Sequence, residues 1–232
     1  MSGNLQIERG DRAYVRDYVN ESDQEAILES IRDAARRSDV VIATLHTHEG
    51  ENENWYATYA PKFVEEFARK TIDAGATCFV GQGAHFPRGV EVYKGCPIFY
   101  NLGSLLMEFE SGESMISPEM YETYHLGPDA HPSDLHSNRA QKSDGSWNGF
   151  YSERRFSTNF LVVLDIDEEG ANYEIVPLDL DMHRENNLKR GLPEVSTPEE
   201  GKKFAEYLAH ASERYGVSFA YCEETGAISF DA

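Results

Sequence analysis

Cysteine is scarce in this chain: Cys78, Cys96 and Cys222 stand far apart and form no Cys-x-x-Cys pair. Neither a structural zinc knuckle nor a disulfide framework is therefore indicated, and ordinary reduced thiols are expected. Basic residues are the second deficit. Lys and Arg number 21 against 41 Asp and Glu, a net charge of -20, which excludes nucleic acid as a partner because nothing would neutralise a phosphate backbone. An anionic substrate would need a metal ion or a local basic side chain to hold it. Lysine is scarcer than arginine and the acidic excess runs along the whole chain, as in proteins of salt-rich cytoplasms and equally in merely soluble acidic surfaces. Long apolar runs are missing too. No stretch approaches the roughly 20 residues of a membrane span, and Met1 to Gln24 is polar and acidic without a signal-peptide core. As written the chain reads as cytoplasmic, with attachment through a further amino-terminal segment left open. Gly-rich phosphate cradles and a Gly-x-Ser-x-Gly elbow are also absent, so Ser104, after Gly103, has no partner pattern of a nucleophile.

What is present suffices for one domain over residues 1–232, since 40% hydrophobic residues can supply a buried core. Ser22 and Glu25 have capping-box spacing, and Ile27, Ile31, Ala34 and Ala35 follow at helical intervals. Asp39 to Leu45 is a short β-branched run that predicts a strand buried on both faces. Pro61 opens a second helix bearing Phe63, Phe67 and Thr71, and Gly75 stops it. Ala76 to Gly81 reads as another strand, so helix, strand, helix and strand predict a parallel βαβ unit with a right-handed crossover. Antiparallel members follow: Gly89 to Tyr93 with Pro97 to Tyr100, Phe156 to Ile166 with Ala171 to Leu180 around Asp167 to Gly170, and a closing hairpin from Val217 to Phe230. A helix starting at Thr197 carries Phe204, Leu208 and Ala211 and stops at Gly216. Glu110 to Tyr151 has weak periodicity and many Gly, Ser, Pro, His and Asp residues, which predicts a long surface excursion. The expected fold class is thus α/β, a layered sheet with flanking helices, a parallel βαβ core and antiparallel hairpins.

In open α/β sheets, ligands bind where loops leave the carboxyl ends of parallel strands. Both predicted parallel strands run into histidine-bearing loops there, Leu45-His46-Thr47-His48-Glu49-Gly50 and Gly81-Gln82-Gly83-Ala84-His85-Phe86-Pro87-Arg88-Gly89. Adjacent strands lie about 4.8 Å apart, so His46 and His85 can approach one ion, and imidazole is a common ligand of first-row transition metals. A single loop histidine is more often merely solvated; with two sets on successive strand ends, a shared site and solvated side chains stand as equal readings. His125, His131 and His136, with Asp129 and Asp134, form a second group in the long excursion, where a specific site is not expected.

From Asp39 to Glu110 the sequence resembles the CapA type of capsule-synthesis protein, a branch of the calcineurin-like metallophosphoesterases. That family carries a strand ending in Leu-His, an Asp-Ala-Gly-Ala helix end, a Gly-His-x-x-His loop, an Arg/Gln-Gly-Ile-Glu strand and Pro-Ile-Phe-Tyr-Ser-Leu-Gly-Asn. Here the same order holds Leu45-His46, Asp73-Ala74-Gly75-Ala76, Gly81-Gln82-Gly83-Ala84-His85, Arg88-Gly89-Val90-Glu91 and Pro97-Ile98-Phe99-Tyr100-Asn101-Leu102-Gly103-Ser104. The resemblance implies that His46 and His85 are metal ligands, that His48 is a catalytic acid or base, and that Glu49 lines the pocket. Arg88 and Glu91 are then an anion contact and an orienting residue, with an exposed salt bridge between the two as the alternative. Gln82 stands where the family has its first loop histidine; it is placed in the metal set, although a neutral amide is a poor ligand for a transition ion.

The resemblance implies a partial metallophosphoesterase-like sheet and a role in capsule or poly-γ-glutamate metabolism. The expected cofactor is a divalent metal, Mn, Zn or Fe, in one weak site, acting on a small-molecule or polyanionic peptide substrate. Family members build half of their two-metal site from an earlier segment, with an Asp-x-His-like strand end, a second aspartate and an Asn-His pair, which this sequence does not display upstream of His46. It therefore reads as the carboxyl-terminal half of the family domain, weak or inactive alone and prone to self-association. The alternatives are a non-catalytic binding or assembly subunit, and metal-assisted hydrolysis or epimerisation at a peptide-like bond.

Overall fold

In a computed structural model, residues 7–12, 14–107, 116–166, 171–186 and 189–231 are described. Helix α1 (Glu21–Ala35) is capped by Asn20, whose side chain accepts hydrogen bonds from the Ser22 and Asp23 N–H groups. The cap thus lies two residues before the predicted Ser22, because Asn serves equally well there and adds residues to the first turn. Ile27 is half exposed while Leu28 is buried, so the packed face is turned one residue from the predicted one.

The βαβ unit forms as predicted from β1 (Ile42–His46), α2 (Lys62–Asp73) and β2 (Cys78–Gln82), with β1 and β2 parallel. Strands β3 (Val90–Tyr93) and β4 (Cys96–Phe99) make a hairpin, and β4 lies parallel to β2, giving the order β1-β2-β4-β3. On one face of this sheet Val64, Ala68 and Ile72 of α2 pack on Ala43, Phe79 and Ile98. Phe79 and Ile98 are fully buried, and truncation to Ala would cost about 3–5 kcal/mol at Phe79 and about 2–5 kcal/mol at Ile98.

The short helices α3 (Pro118–Thr123) and α4 (Pro132–Ala140) follow. The stretch predicted as a surface excursion is only partly that. Leu135, Ala140 and Tyr151 are buried, and Ala140 and Tyr151 pack with Phe86, Phe156, Leu180 and Met182 in a core of their own. Weak periodicity concealed this because the apolar residues are few and come from separate turns. Strands β5 (Thr158–Ile166) and β6 (Ala171–Asp179) pair antiparallel along their whole length; their predicted turn at residues 167–170 lies outside the described residues. Strand β7 (Glu194–Val195), helix α5 (Pro198–Ala211), capped by Thr197, and strands β8 (Ser218–Tyr221) and β9 (Ile228–Asp231) complete a second sheet of order β5-β6-β9-β8, with β7 on β6. Val90 and Phe99 of the first sheet meet Phe160, Ile175 and Ile228 of the second, together with Phe204 and Leu208 of α5. The architecture is therefore mixed α/β in layers, helix, sheet and sheet, as the sequence predicts.

One expectation about β1 fails. It is an edge strand, and its face bearing Ile42, Thr44 and His46 is open to solvent, with Ile42 52% exposed. A continuous apolar run describes a strand buried on both faces only when both faces are covered. No helix among the described residues is long and apolar enough to cross a membrane.

Glu91 on β3 is buried and takes two hydrogen bonds from the Arg69 guanidinium, at 2.8 and 3.0 Å, and one from the Tyr100 hydroxyl at 2.5 Å. This joins α2 to the hairpin through a planar, bidentate pair. Glu91→Ala strands the arginine beside an apolar layer. Denaturant unfolding should show a loss of about 2 kcal/mol, discounted from the roughly 3–5 kcal/mol of a fully buried pair because Arg69 keeps a third of its side-chain exposure. A loss below about 0.5 kcal/mol would mean that water already carries the charge.

Candidate functional site

The site begins with a register. His46 on β1 lies opposite Gln82 on β2, and the Thr47 N–H extends the ladder one step by donating to the Gln82 carbonyl at 2.9 Å. Gly83 follows with φ +112°, and a Cβ there would lie 2.5 Å from the Thr47 carbonyl oxygen and 2.8 Å from the His48 ring. Only glycine permits this approach. The two loops therefore touch, and the His48 ring sits between the other two imidazoles, 5.1 Å from the His46 centroid and 5.8 Å from that of His85. The Nε2 atoms of His46 and His48 face one another at 3.1 Å.

His85 adopts φ +63°. A left-handed backbone costs about 1–2 kcal/mol for a residue with a Cβ, and such strain persists where the surroundings over-determine it. Two contacts do so here: Nδ1 lies 3.1 Å from the Ser104 Oγ, and the ring meets the edge of Phe150 at 5.4 Å between centroids. Burial, and then the neighbouring His48 and His46, hold its pKa below the ordinary imidazole value. The neutral, ligand-competent form is favoured.

The remaining predicted residues fall into two groups. Gln82 is exposed beside His46, and Glu49 is exposed with its carboxylate accepting from the Thr47 hydroxyl. Glu49 and Glu53 line the outer rim of this loop with carboxyl groups, and burial, with the nearby Asp17 and Glu49, pushes Glu53 up. Arg88 and Glu91 do not form the exposed salt bridge held open above. Glu91 is taken by Arg69, and Arg88 is only 1% exposed. The Arg88 guanidinium donates to the carbonyls of Glu49 at 2.8 Å and Trp55 at 3.2 Å, while its Nε is buried without a partner in the structure. Burial pushes its pKa down to about 10, still a cation at neutral pH. Its donors are directed to the loop after β1, and it acts as a clamp on that loop.

The donor set suits a transition ion in part. Two imidazole nitrogens 3.1 Å apart are close to the roughly 3.3 Å between ligands on a tetrahedral ion with bonds of about 2.0–2.1 Å. Among the described residues no group of three His, Cys, Asp or Glu side chains converges on one point. What the chain supplies is an imidazole pair with a third imidazole one ring away, and such nitrogen donors suit Zn or Fe better than Mn. In the excursion Asp134 accepts from the His131 N–H at the start of α4, a capping contact. Sequence reasoning missed Phe150 and Trp55, whose rings meet each other and Phe156 to wall the His85 side, and it dismissed Ser104. Phe150 and Trp55 carry no local signal; Ser104 stood out only as a departure from the family motif.

Residues 4–108 match the family model described as bacterial capsule synthesis protein PGA_cap. The chain is similar to the uncharacterized protein y4sH of Sinorhizobium fredii, 28% identical over 215 residues, which cover 90% of this chain and 45% of that protein. It is 36% identical over 75 residues, 32% of the chain and 18% of the relative, to a probable polyglutamine synthesis accessory protein of Mycobacterium tuberculosis. To the PGA biosynthesis protein CapA of Bacillus subtilis it is 30% identical over 105 residues, 45% of the chain and 26% of the relative. The chain thus spans less than half the length of the curated relatives it matches.

The clamp is testable. Arg88→Lys keeps the charge but replaces a forked donor by a point, so one of the two carbonyls loses its partner. The expected cost is about 1–3 kcal/mol, with faster amide hydrogen exchange confined to residues 47–56. Unchanged exchange there would show that the loop holds its shape without the guanidinium.

Proposed function

We propose that the chain, whose residues 4–108 match the capsule synthesis family model, is of the CapA type and serves capsule or poly-γ-glutamate metabolism through a hydrolytic site at His46, His48 and His85. The observation that carries this reading is the facing Nε2 pair at the tip of β1, with a strained, neutral-leaning His85 beside it. His46 and His48 would hold one divalent ion, with His85 and Gln82 at its margin. When bound, such an ion polarises a phosphoryl or acyl oxygen. In the metal-free chain His48, exposed and paired with His46 through Nε2, is the residue able to pass a proton at the pocket mouth; as a ligand it holds the ion instead. Phe150, backed by Trp55, covers one side of the His85 ring. The substrate is a phosphoester or a peptide-like bond of a small or polyanionic molecule. Its negative charge must meet the imidazole side of the site, because the rim carries Glu49 and Glu53.

A non-catalytic assembly role is favoured by one separate observation, the solvent-open face of edge strand β1 with Ile42 half exposed. Unpaired edges are where chains add to one another.

Calorimetric titration of Zn²⁺ and Mn²⁺ into the full chain separates these readings, with turnover of an aryl phosphate and of a γ-glutamyl peptide followed alongside. One weak site is expected, lost in His46→Ala, with slow or undetectable turnover of the aryl phosphate. Gln82→His adds an imidazole opposite His46 and should tighten binding by roughly 10-fold or more, the equivalent of about 1.4 kcal/mol. Unchanged affinity in Gln82→His would mean that the two strand tips do not serve a common ion. Absence of any binding would remove the hydrolytic reading and leave the assembly role.

A further inference from the structure

The loop that follows β4 is pinned with unusual completeness. Asn101 and Asn159 are each 1% exposed. Asn101 Oδ1 accepts from the Gly103 N–H at 3.0 Å, and Asn159 Oδ1 accepts from the Ser104 N–H at 3.0 Å. The Asn159 amide nitrogen donates in turn to the Phe156 carbonyl at 3.2 Å, so both ends of that side chain are committed. Gly103 has φ +82°, and a Cβ there would lie 1.7 Å from Asn159 Oδ1, so only glycine lets the loop reach this carboxamide. The outcome of these three hydrogen bonds is the position of one hydroxyl, Ser104 Oγ, 3.1 Å from His85 Nδ1. A solvated histidine would need none of this. A histidine held in a left-handed backbone, whose other ring nitrogen must keep its lone pair for a ligand, does need it.

We propose that Ser104 and Asn159 are positioning residues for His85: Ser104 Oγ accepts the Nδ1–H, which fixes the tautomer with an unprotonated Nε2, and Asn159, on the second sheet, holds Ser104 in place. The assignment rests on the metal site proposed above, and it adds that His85, at the margin of that site, offers its Nε2 to the ion. It adds further that the second sheet, remote in sequence from both histidine loops, sets which nitrogen is free. The hydroxyl is also able to donate to Nδ1, which would put the proton on Nε2 and block it. The two states are distinguishable in solution.

The test uses the full, metal-free chain labelled with ¹⁵N-histidine, with long-range ¹H–¹⁵N correlation at a pH where the imidazoles are neutral. The wild-type chain should show His85 as the Nδ1–H tautomer. Ser104→Ala should shift His85 toward Nε2–H, the form that a free imidazole prefers in water, and Ser104→Thr, which retains the hydroxyl, should restore the wild-type pattern. Asn159→Ala should act in the direction of Ser104→Ala; if that variant does not fold, the Ser104 pair decides. An Nε2–H tautomer in the wild type, or no change in Ser104→Ala, overturns the proposal. Zinc titration of the same samples is scored separately, with a loss of roughly 10-fold or more expected in Ser104→Ala. A tautomer shift without zinc binding in any sample keeps the positioning role and removes the hydrolytic reading, whereas zinc binding without a tautomer shift does the reverse.

Discussion

Everything at the candidate site depends on the parallel pairing of β1 with β2 in the register that sets His46 beside Gln82. Slipping that register by one residue would turn His46 to the opposite face and carry His48 away from Gly83. Gly83 then allows the two strand-end loops to touch, and the contact brings the His48 ring between His46 and His85. The interstrand hydrogen bonds therefore do for the site what a cofactor-binding motif does elsewhere: they fix the distance between groups that arrive from different parts of the chain.

Charge is handled by two different devices. With an excess of acidic residues, the protein can solvate most of them, but Glu91 is buried and needs Arg69 and Tyr100 around it. Arg88 is buried without a carboxylate and spreads its charge onto the carbonyls of Glu49 and Trp55. That choice ties a cation to the loop bearing His48, and it costs the guanidinium part of its basicity. A carboxylate in contact with Arg88 would have restored that basicity, but would have added a negative charge near a site that the rim already makes acidic.

The second sheet and the excursion have a role beyond covering the first sheet. Asn159 reaches from β5 to the loop after β4, and Phe150 comes from the end of the excursion to the edge of His85. Both stabilise a backbone conformation at His85 that would otherwise be unfavourable. Energy stored in that one residue is balanced by ordinary packing elsewhere, a distribution common where a side chain must be held rather than merely placed.

The βαβ unit, the hairpins, the cap at Thr197 and the two histidine loops were legible in the sequence because each follows from local periodicity, a capping residue or a strand-to-loop boundary. Tertiary structure alone decided the rest. That β1 lies at an edge, that Arg88 turns inward to carbonyls while Glu91 pairs with Arg69, and that the excursion contributes a core are outcomes of which faces happen to be covered. The pairing of His46 with His48, and of His85 with Ser104, likewise depends on distances of a few ångströms set by Gly83 and Asn159. Local sequence determines which backbone each segment prefers; long-range packing determines where its side chains go, because burial and hydrogen-bond satisfaction are properties of the whole assembly of segments and of no single one.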